Sequence, residues 1–372
     1  MKRYLMLLGT RPEAIKLCPL ILELRRRTDV QLRVVLTGQH RDMPAPVLTF
    51  FGVCPDADLG VMTQGQTLQS LSERLLTAIS RDMQISGFAP DAILVHGDTT
   101  TAFIGALCAF YAGIPVVHIE AGLRTGDISA PFPEEFNRRT IDAMSRIHFA
   151  PTARAKTRLM AEGHKETRVF VVGNTATDAL RLCLERPCEH PLLDMVGERR
   201  LILLTAHRRE TAPEQRLALF RAIREELEER RDTVAIFPVH PSPVIREAAE
   251  ATFVGCDNVK LTDPLDVPIM QHLLARTTLL LTDSGGLQEE ATYLGVPTLV
   301  LREMTERPEG VAAGVLRLVG TDGRGVRAAL SELLENEQAR RHMARPSDAY
   351  GDGYVSVRIA AILAALAEAS EL

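Results

Sequence analysis

At 372 residues the chain is too long for one ordinary core, and at about 100–200 residues per domain two domains are expected. Its composition, 46% hydrophobic and 24% charged, is that of a globular protein. A formal net charge of −5 argues against a general nucleic-acid binder, which wants a basic surface, but allows a local basic pocket for a phosphorylated small molecule.

In chain order, short apolar runs alternate with longer amphipathic stretches. Tyr4–Leu8 reads as a strand, broken by Gly9-Thr10-Arg11-Pro12. Ala14–Arg27 follows with helical spacing of Ile15, Leu17, Leu20, Ile21 and Leu24. Gln31–Leu36 and Ala92–Val95 are the next strands, the latter ending at His96-Gly97-Asp98. Thr99–Ala112 reads as a buried helix rich in small residues. Pro115–Ile119 is a strand ending at Glu120-Ala121-Gly122, and Ile147–Ala150 is a further one. After Gly163, Val169–Val172 is read as opening a second series. That series continues with strand Leu201–Thr205, helix Leu217–Arg230, strand Val234–Val239, strand Leu279–Thr282, helix Gln288–Leu294 and strand Thr298–Leu301. Wholly apolar strands separated by helices indicate parallel sheets covered on both faces.

The expected fold class is therefore α/β, with two Rossmann-like doubly wound domains facing a cleft. The expected boundaries are 1–170, 171–354 and a terminal helix, 355–372, that packs on either domain. The opening resembles a short signal-peptide core. However, Arg11, Glu13 and Lys16 follow after a handful of apolar residues, and no small-residue cleavage site appears. No apolar run reaches the roughly 18 residues of a membrane span. The expectation is a cytoplasmic protein with neither membrane nor nucleic-acid partner. None of the six cysteines forms a Cys-x-x-Cys pair, and all are read as reduced and structural.

Nearly every strand ends in polar or glycine residues, and ligands of open α/β sheets bind beyond the carboxyl ends of strands. Gly9-Thr10-Arg11-Pro12-Glu13 suits a tight turn into a helix, with Arg11 placed for a phosphate; a plain turn is the alternative. It is neither a GxGxxG fingerprint nor a P-loop, so NAD and ATP gain no support. Asp283-Ser284-Gly285-Gly286 precedes a helix, where backbone N–H groups and a hydroxyl suit a diphosphate. Glu289 or Glu290 in that helix would accept from a ribose diol; the alternative is an acidic first turn favoured by the helix dipole. Asp98, Glu120 and Glu134, the last beside Glu135, suit acid/base chemistry because burial and mutual repulsion raise carboxyl pKa values. His96, His118 and Arg124 lie near them in sequence. His207-Arg208-Arg209-Glu210 offers cations for a leaving diphosphate and a proton from His207, and His240 before Pro241 is analogous. No spacing resembles a metal site.

Together these motifs carry a resemblance. GTRPEAIK (9–16), TGQHR (37–41), HGDTTT (96–101), HIEAGLRTGD (118–127), PFPEEFNRR (131–139), HRRE (207–210), PVHP (238–241), DSGGLQEEA (283–291) and TERPEG (305–310) resemble those of the non-hydrolysing bacterial UDP-N-acetylglucosamine 2-epimerases. The resemblance implies a GT-B-like fold, a homodimer, and reversible conversion of UDP-N-acetylglucosamine and UDP-N-acetylmannosamine without metal or other cofactor. It implies proton removal at carbon 2, expulsion of UDP to leave 2-acetamidoglucal, and re-addition. By motif, Asp98, Glu120, Glu134 and His207 match the catalytic positions. Arg11, His240, Ser284, Gly285, Gly286 and Glu290 match the UDP-binding ones. Gln39, Arg74, Glu135 and Arg209 match a second UDP-N-acetylglucosamine site, an activator site.

Departures from the family pattern carry their own expectations. Pro44 and Pro46 predict an altered loop beside the activator site. Thr211, Val267, Pro268 and Val315 predict different pocket packing and point to another sugar substituent, such as a diacetamido uronic acid. Three other readings compete. A GT-B glycosyltransferase would need an acceptor groove, which the paired acidic motifs do not suggest. A hydrolysing epimerase fused to a sugar kinase has no kinase segment in this chain. A sugar-nucleotide binding module would bind without proton exchange at carbon 2.

Overall fold

The computed structural model describes residues 1–39, 44–206, 212–228 and 230–371. The chain forms two compact units, residues 1–179 with 353–372, and residues 180–352. His207 and Arg209 of the sequence analysis, with Thr211, lie outside the described residues.

Unit 1 contains β1 (Lys2–Leu8), α1 (Arg11–Arg25), β2 (Val30–Leu36), α2 (Pro44–Phe51), β3 (Ala57–Asp58), α3 (Leu68–Ile85), β4 (Ala92–His96) and α4 (Thr100–Tyr111). It continues with β5 (Val116–Ile119), α5 (Glu134–Met144), β6 (Ile147–Ala150), α6 (Ala153–Ala161) and β7 (Val169–Val171). These strands form one parallel sheet in the order β3-β2-β1-β4-β5-β6-β7. The inner strands are apolar because helices cover both faces: all five residues of β4 are buried, and so is each residue of β5 and β6. α7 (Ala176–Leu184) carries the chain into unit 2.

Unit 2 contains α8 (Pro191–Val196), β8 (Arg200–Thr205), α9 (Pro213–Leu227), β9 (Thr233–Pro238), α10 (Pro243–Phe253), β10 (Val259–Thr262), α11 (Val267–Arg276) and β11 (Thr277–Thr282). After these come α12 (Gly285–Leu294), β12 (Thr298–Val300), α13 (Pro308–Ala312), β13 (Leu316–Leu318), α14 (Gly323–Glu335) and α15 (Glu337–Met343). Its parallel sheet runs β10-β9-β8-β11-β12-β13. α16 (Val355–Glu368) returns to unit 1, where the Asp178 carboxylate accepts the N–H groups of Val355 (3.0 Å) and Ser356 (2.7 Å). Its first turn is thus capped by α7.

Both sheets reverse their strand order at a central strand, β1 in unit 1 and β8 in unit 2, as in doubly wound folds. The run 169–172, read as the start of a second series, instead pairs with β6 and completes the first sheet, so the seam falls within α7 rather than near residue 170. A three-residue apolar strand carries no mark of which sheet it joins. Pro44 and Pro46 begin a helix, α2, rather than breaking one: the first helical turn needs no N–H from either residue.

Candidate active site

The switch point of unit 1 lies between the carboxyl ends of β1 and β4. Thr10 and Thr99 are the N-caps of α1 and α4, each side chain accepting a backbone N–H of its own helix. Gly9 has no room for a side chain: a Cβ there would overlap the hydroxyls of Thr37 and Thr101. Those hydroxyls bond to each other (2.8 Å), and Gln39 Oε1 accepts the Thr101 hydroxyl (2.8 Å) and N–H (3.1 Å). Gly9→Ala is expected to force this cluster apart at about 1–3 kcal/mol, the usual cost of overpacking. Calorimetry should record a lower Tm; an unchanged Tm would mean the hydroxyls move freely.

Asp98 and Glu120 follow adjacent strands, since His96 and Ile119 are paired residues of β4 and β5. Arg138 reaches Asp98 Oδ2 at 2.5 Å, and Asn137 donates to the Asp98 carbonyl at 2.9 Å. Both come from α5. Glu134 stands three and four positions earlier, hence on the α5 face that meets Asp98. Its carboxylate makes no hydrogen bond or ion pair with the described residues. Glu120 adopts φ 67°, left-handed backbone that is uncommon outside glycine. Such strain costs about 1–3 kcal/mol and clusters at functional sites. Its carboxylate pairs with Lys16 and accepts from Asn174 Nδ2 at 2.8 Å. His96 Nε2 is buried 3.5 Å away, and burial pulls this histidine down to about 3, so the ring is neutral.

Behind the acids lies a buried polar cluster. Asp142 accepts from His118 Nδ1 (2.6 Å), Arg124 (2.7 Å) and the Gly122 N–H (3.2 Å). Burial raises its pKa, but the His118 and Arg124 charges outweigh this and hold the carboxyl well below its usual range. His118 Nε2 lies 2.7 Å from the Gly97 carbonyl, so both ring nitrogens face acceptors. His118 and Arg124, near the acids in sequence, therefore support the strand-end turns. Burial also lowers His148 to about 4, with its Nε2 donating to the Asp142 carbonyl at 3.0 Å.

Of the residues matched to an activator site, Gln39 secures Thr101. Arg74 is tied to the Val61 carbonyl (2.8 Å) and Gln66 (2.7 Å). Glu135 is fully buried, accepting from Thr125 N–H (3.0 Å) and Arg139 (2.9 Å), and in this structure serves the scaffold of unit 1.

In unit 2 the switch point lies between β8 and β11, whose terminal Thr205 and Thr282 hydroxyls bond at 2.6 Å. Ser284 is the N-cap of α12 but makes no side-chain cap, and the first turn carries no acidic residue. Gly285 and Gly286 thus present backbone N–H groups at a positive helix end. A Cβ on Gly285 would press on the Arg307 guanidinium, which crosses the turn at van der Waals distance. Glu289 is buried and bound to Arg307 (2.9 Å), whereas Glu290 is only half-buried and accepts from Gln271 (3.2 Å). That contrast separates the two glutamates: Arg307 holds Glu289 in a buried ion pair, and Glu290 stays partly exposed. His240 follows β9, and its Nδ1 accepts the Ser242 N–H (3.1 Å), so Nε2 carries the ring proton. Val315 lies wholly within an apolar cluster with Val300 and Leu316, and Val267 is buried at the start of α11. Those departures alter packing rather than a polar pocket wall. Among the described residues no three His, Cys, Asp or Glu side chains are grouped to hold a metal ion.

Lys16, Asn174, Arg138, Glu13 and Arg307 escaped the sequence reading of the site. Lys16 left one signal, a cation set between the apolar residues Ile15 and Leu17 of α1. Thr10-Arg11-Pro12-Glu13 left another, the pattern of a capping box.

Two doubly wound units, one with acids and one with an uncapped glycine turn at its strand ends, define an α/β protein of the GT-B-like class. A family model described as UDP-N-acetylglucosamine 2-epimerase matches residues 22–364. The UDP-N-acetylglucosamine 2-epimerase of Bacillus subtilis is 48% identical over 351 residues, 94% of this chain and 92% of that protein. The crystal structure of the Neisseria meningitidis UDP-GlcNAc 2-epimerase bound to UDP-GlcNAc matches with TM-score 0.91 at 38% identity, covering 98% of this chain and 100% of that one. A glycotransferase of kitacinnamycin, 15% identical with TM-score 0.65 over 98% of each chain, shares the fold. The chain belongs to the UDP-N-acetylglucosamine 2-epimerase family of isomerases.

Proposed function

We propose that the chain interconverts UDP-N-acetylglucosamine and UDP-N-acetylmannosamine. The observation that carries this reading is the pair of acids, Asp98 and Glu120, on neighbouring strand ends, with Glu120 held in left-handed backbone against Lys16. Removing the carbon-2 proton and returning it to the opposite face needs an acid and a base of this kind. Glu134, on the α5 face toward Asp98, is the third carboxylate of the set. Departure of UDP leaves 2-acetamidoglucal and requires charge stabilisation at the diphosphate. The α12 glycine turn with Arg307 supplies donors for it, joined by Arg11, His240 and His207. In this reading Glu290 accepts from the ribose diol.

The reading includes a cytoplasmic location, which six unpaired cysteines favour. No helix among the described residues is long and apolar enough to cross a membrane. It also includes a homodimer. Phe110 and Tyr111 at the end of α4 and Phe136 on α5 are exposed, and Phe136 meets Phe103 edge to face, one heptad from Phe110 on the same helix face. Light scattering at micromolar concentration should give twice the chain mass.

Proton NMR with UDP-N-acetylglucosamine in deuterium oxide tests the reaction. Expected is UDP-N-acetylmannosamine carrying deuterium at carbon 2. Absence of both exchange and epimer would reject this substrate and move the test to uronic-acid UDP-sugars.

A further inference from the structure

Glu13 is the third residue of α1 and is fully buried. Its Oε2 accepts the Gly9 N–H (3.0 Å), the Thr10 N–H (2.8 Å) and the Thr10 hydroxyl (2.8 Å). Its Oε1 accepts the Thr99 hydroxyl at 2.7 Å, 86 residues away in sequence. A capping box explains only the first set of bonds. The bond to Thr99 goes further, because Thr99 is the N-cap of α4 and gives its lone pair to the Ala102 N–H at 3.0 Å. One carboxylate therefore holds the N-caps of both switch-point helices. The residue after one cap is Arg11, and the residue before the other is Asp98.

We propose that Glu13 is a positioning residue that fastens the β1–α1 and β4–α4 turns into one rigid piece, so that Arg11 and Asp98 meet the UDP-sugar in fixed register. This rests on the reading that those two residues act on that substrate. A second consequence follows from the same bonds. The Gly9 and Thr10 N–H groups are given to Glu13 and so are not offered to a phosphate. The α12 turn of unit 2, where Ser284 makes no side-chain cap, keeps its first-turn amides for that role.

The roles of the two oxygens suggest the variants. In Glu13→Gln the amide oxygen takes the three donors at Oε2, and its NH₂ donates to the Thr99 hydroxyl, which then accepts. Glutamine preserves the link; Glu13→Ala removes it. Thr99→Val cuts it from the far side. Hydrogen–deuterium exchange of the folded proteins is followed over residues 8–16 and 95–103, with kcat and KM measured in parallel. Expected for Glu13→Ala is faster exchange in both segments and a kcat at least tenfold down. Glu13→Gln should keep both segments protected and kcat within threefold of the parent. Thr99→Val should loosen 8–16 as well as its own turn, which loss of the α4 cap alone would not do. The proposal is overturned if Glu13→Ala or Thr99→Val loosens only its own segment. It is equally overturned if Glu13→Gln is as damaged as Glu13→Ala, which would give Glu13 a role in proton transfer. Should the parent protein leave UDP-N-acetylglucosamine untouched, the proposed function fails, while the exchange data still decide whether the turns are coupled.

Discussion

Glu120→Gln is expected to lower turnover of UDP-N-acetylglucosamine by about 100- to 10,000-fold, the range associated with losing a general acid or base. The argument starts from what surrounds the carboxylate. Lys16 and Asn174 hold Oε2, and the left-handed backbone of Glu120 fixes where the side chain leaves the strand end. Glutamine keeps that shape, and its oxygen can still accept from Lys16 and Asn174. What it loses is the ability to take or give a proton. UDP, bound through the glycine turn of the other unit in this reading, should keep its affinity within about threefold. Calorimetric titration with UDP and NMR of deuterium uptake at carbon 2 separate the two effects. Turnover within tenfold of the parent would remove Glu120 from the chemistry. A parallel loss of UDP affinity would instead make it a binding residue.

The strand-end motifs were legible because they follow from local rules. Apolar runs of strand length located β1, β4, β5, β8 and β11 within a few residues, and the polar residues after them are the ones gathered at the two switch points. What stayed hidden are pairings set by the sheet order. Lys16 meets Glu120 across 104 positions and Thr99 meets Glu13 across 86, and no periodicity encodes either. Nor could sequence separate Glu289 from Glu290, since both stand in one helical turn. Only the approach of Arg307 turns Glu289 inward. His118 and Arg124 lie near the acids in sequence, but their partner Asp142, in the last turn of α5, belongs to no recognisable motif.

That partner underlies the largest stability effect expected. Asp142 has no exposed surface, and its two oxygens serve His118, Arg124 and the Gly122 N–H. In Asp142→Asn one oxygen becomes an NH₂ facing other donors, His118 loses its carboxylate partner, and Arg124 keeps only Glu162 as a carboxylate partner. Removing one member of such a buried group costs about 3–5 kcal/mol. Its pH dependence has a definite sign. The folded carboxyl is held below its ordinary value of 3.8, so its stabilising contribution is complete above that pH. It is lost progressively as pH falls from that value, where the unfolded chain takes up its proton, toward the lower folded value. The Tm gap between parent and Asp142→Asn should therefore be flat from pH 8 to about 5 and narrow only in stronger acid. A gap that narrows already well above pH 5 would assign the stabilisation to a group other than Asp142. Because His118 holds the Gly97 carbonyl, the variant should also loosen the Asp98 turn and lower kcat at temperatures where it remains folded. In this unit the buried charge that supports the fold also holds, through His118 and the Gly97 carbonyl, the turn that carries Asp98.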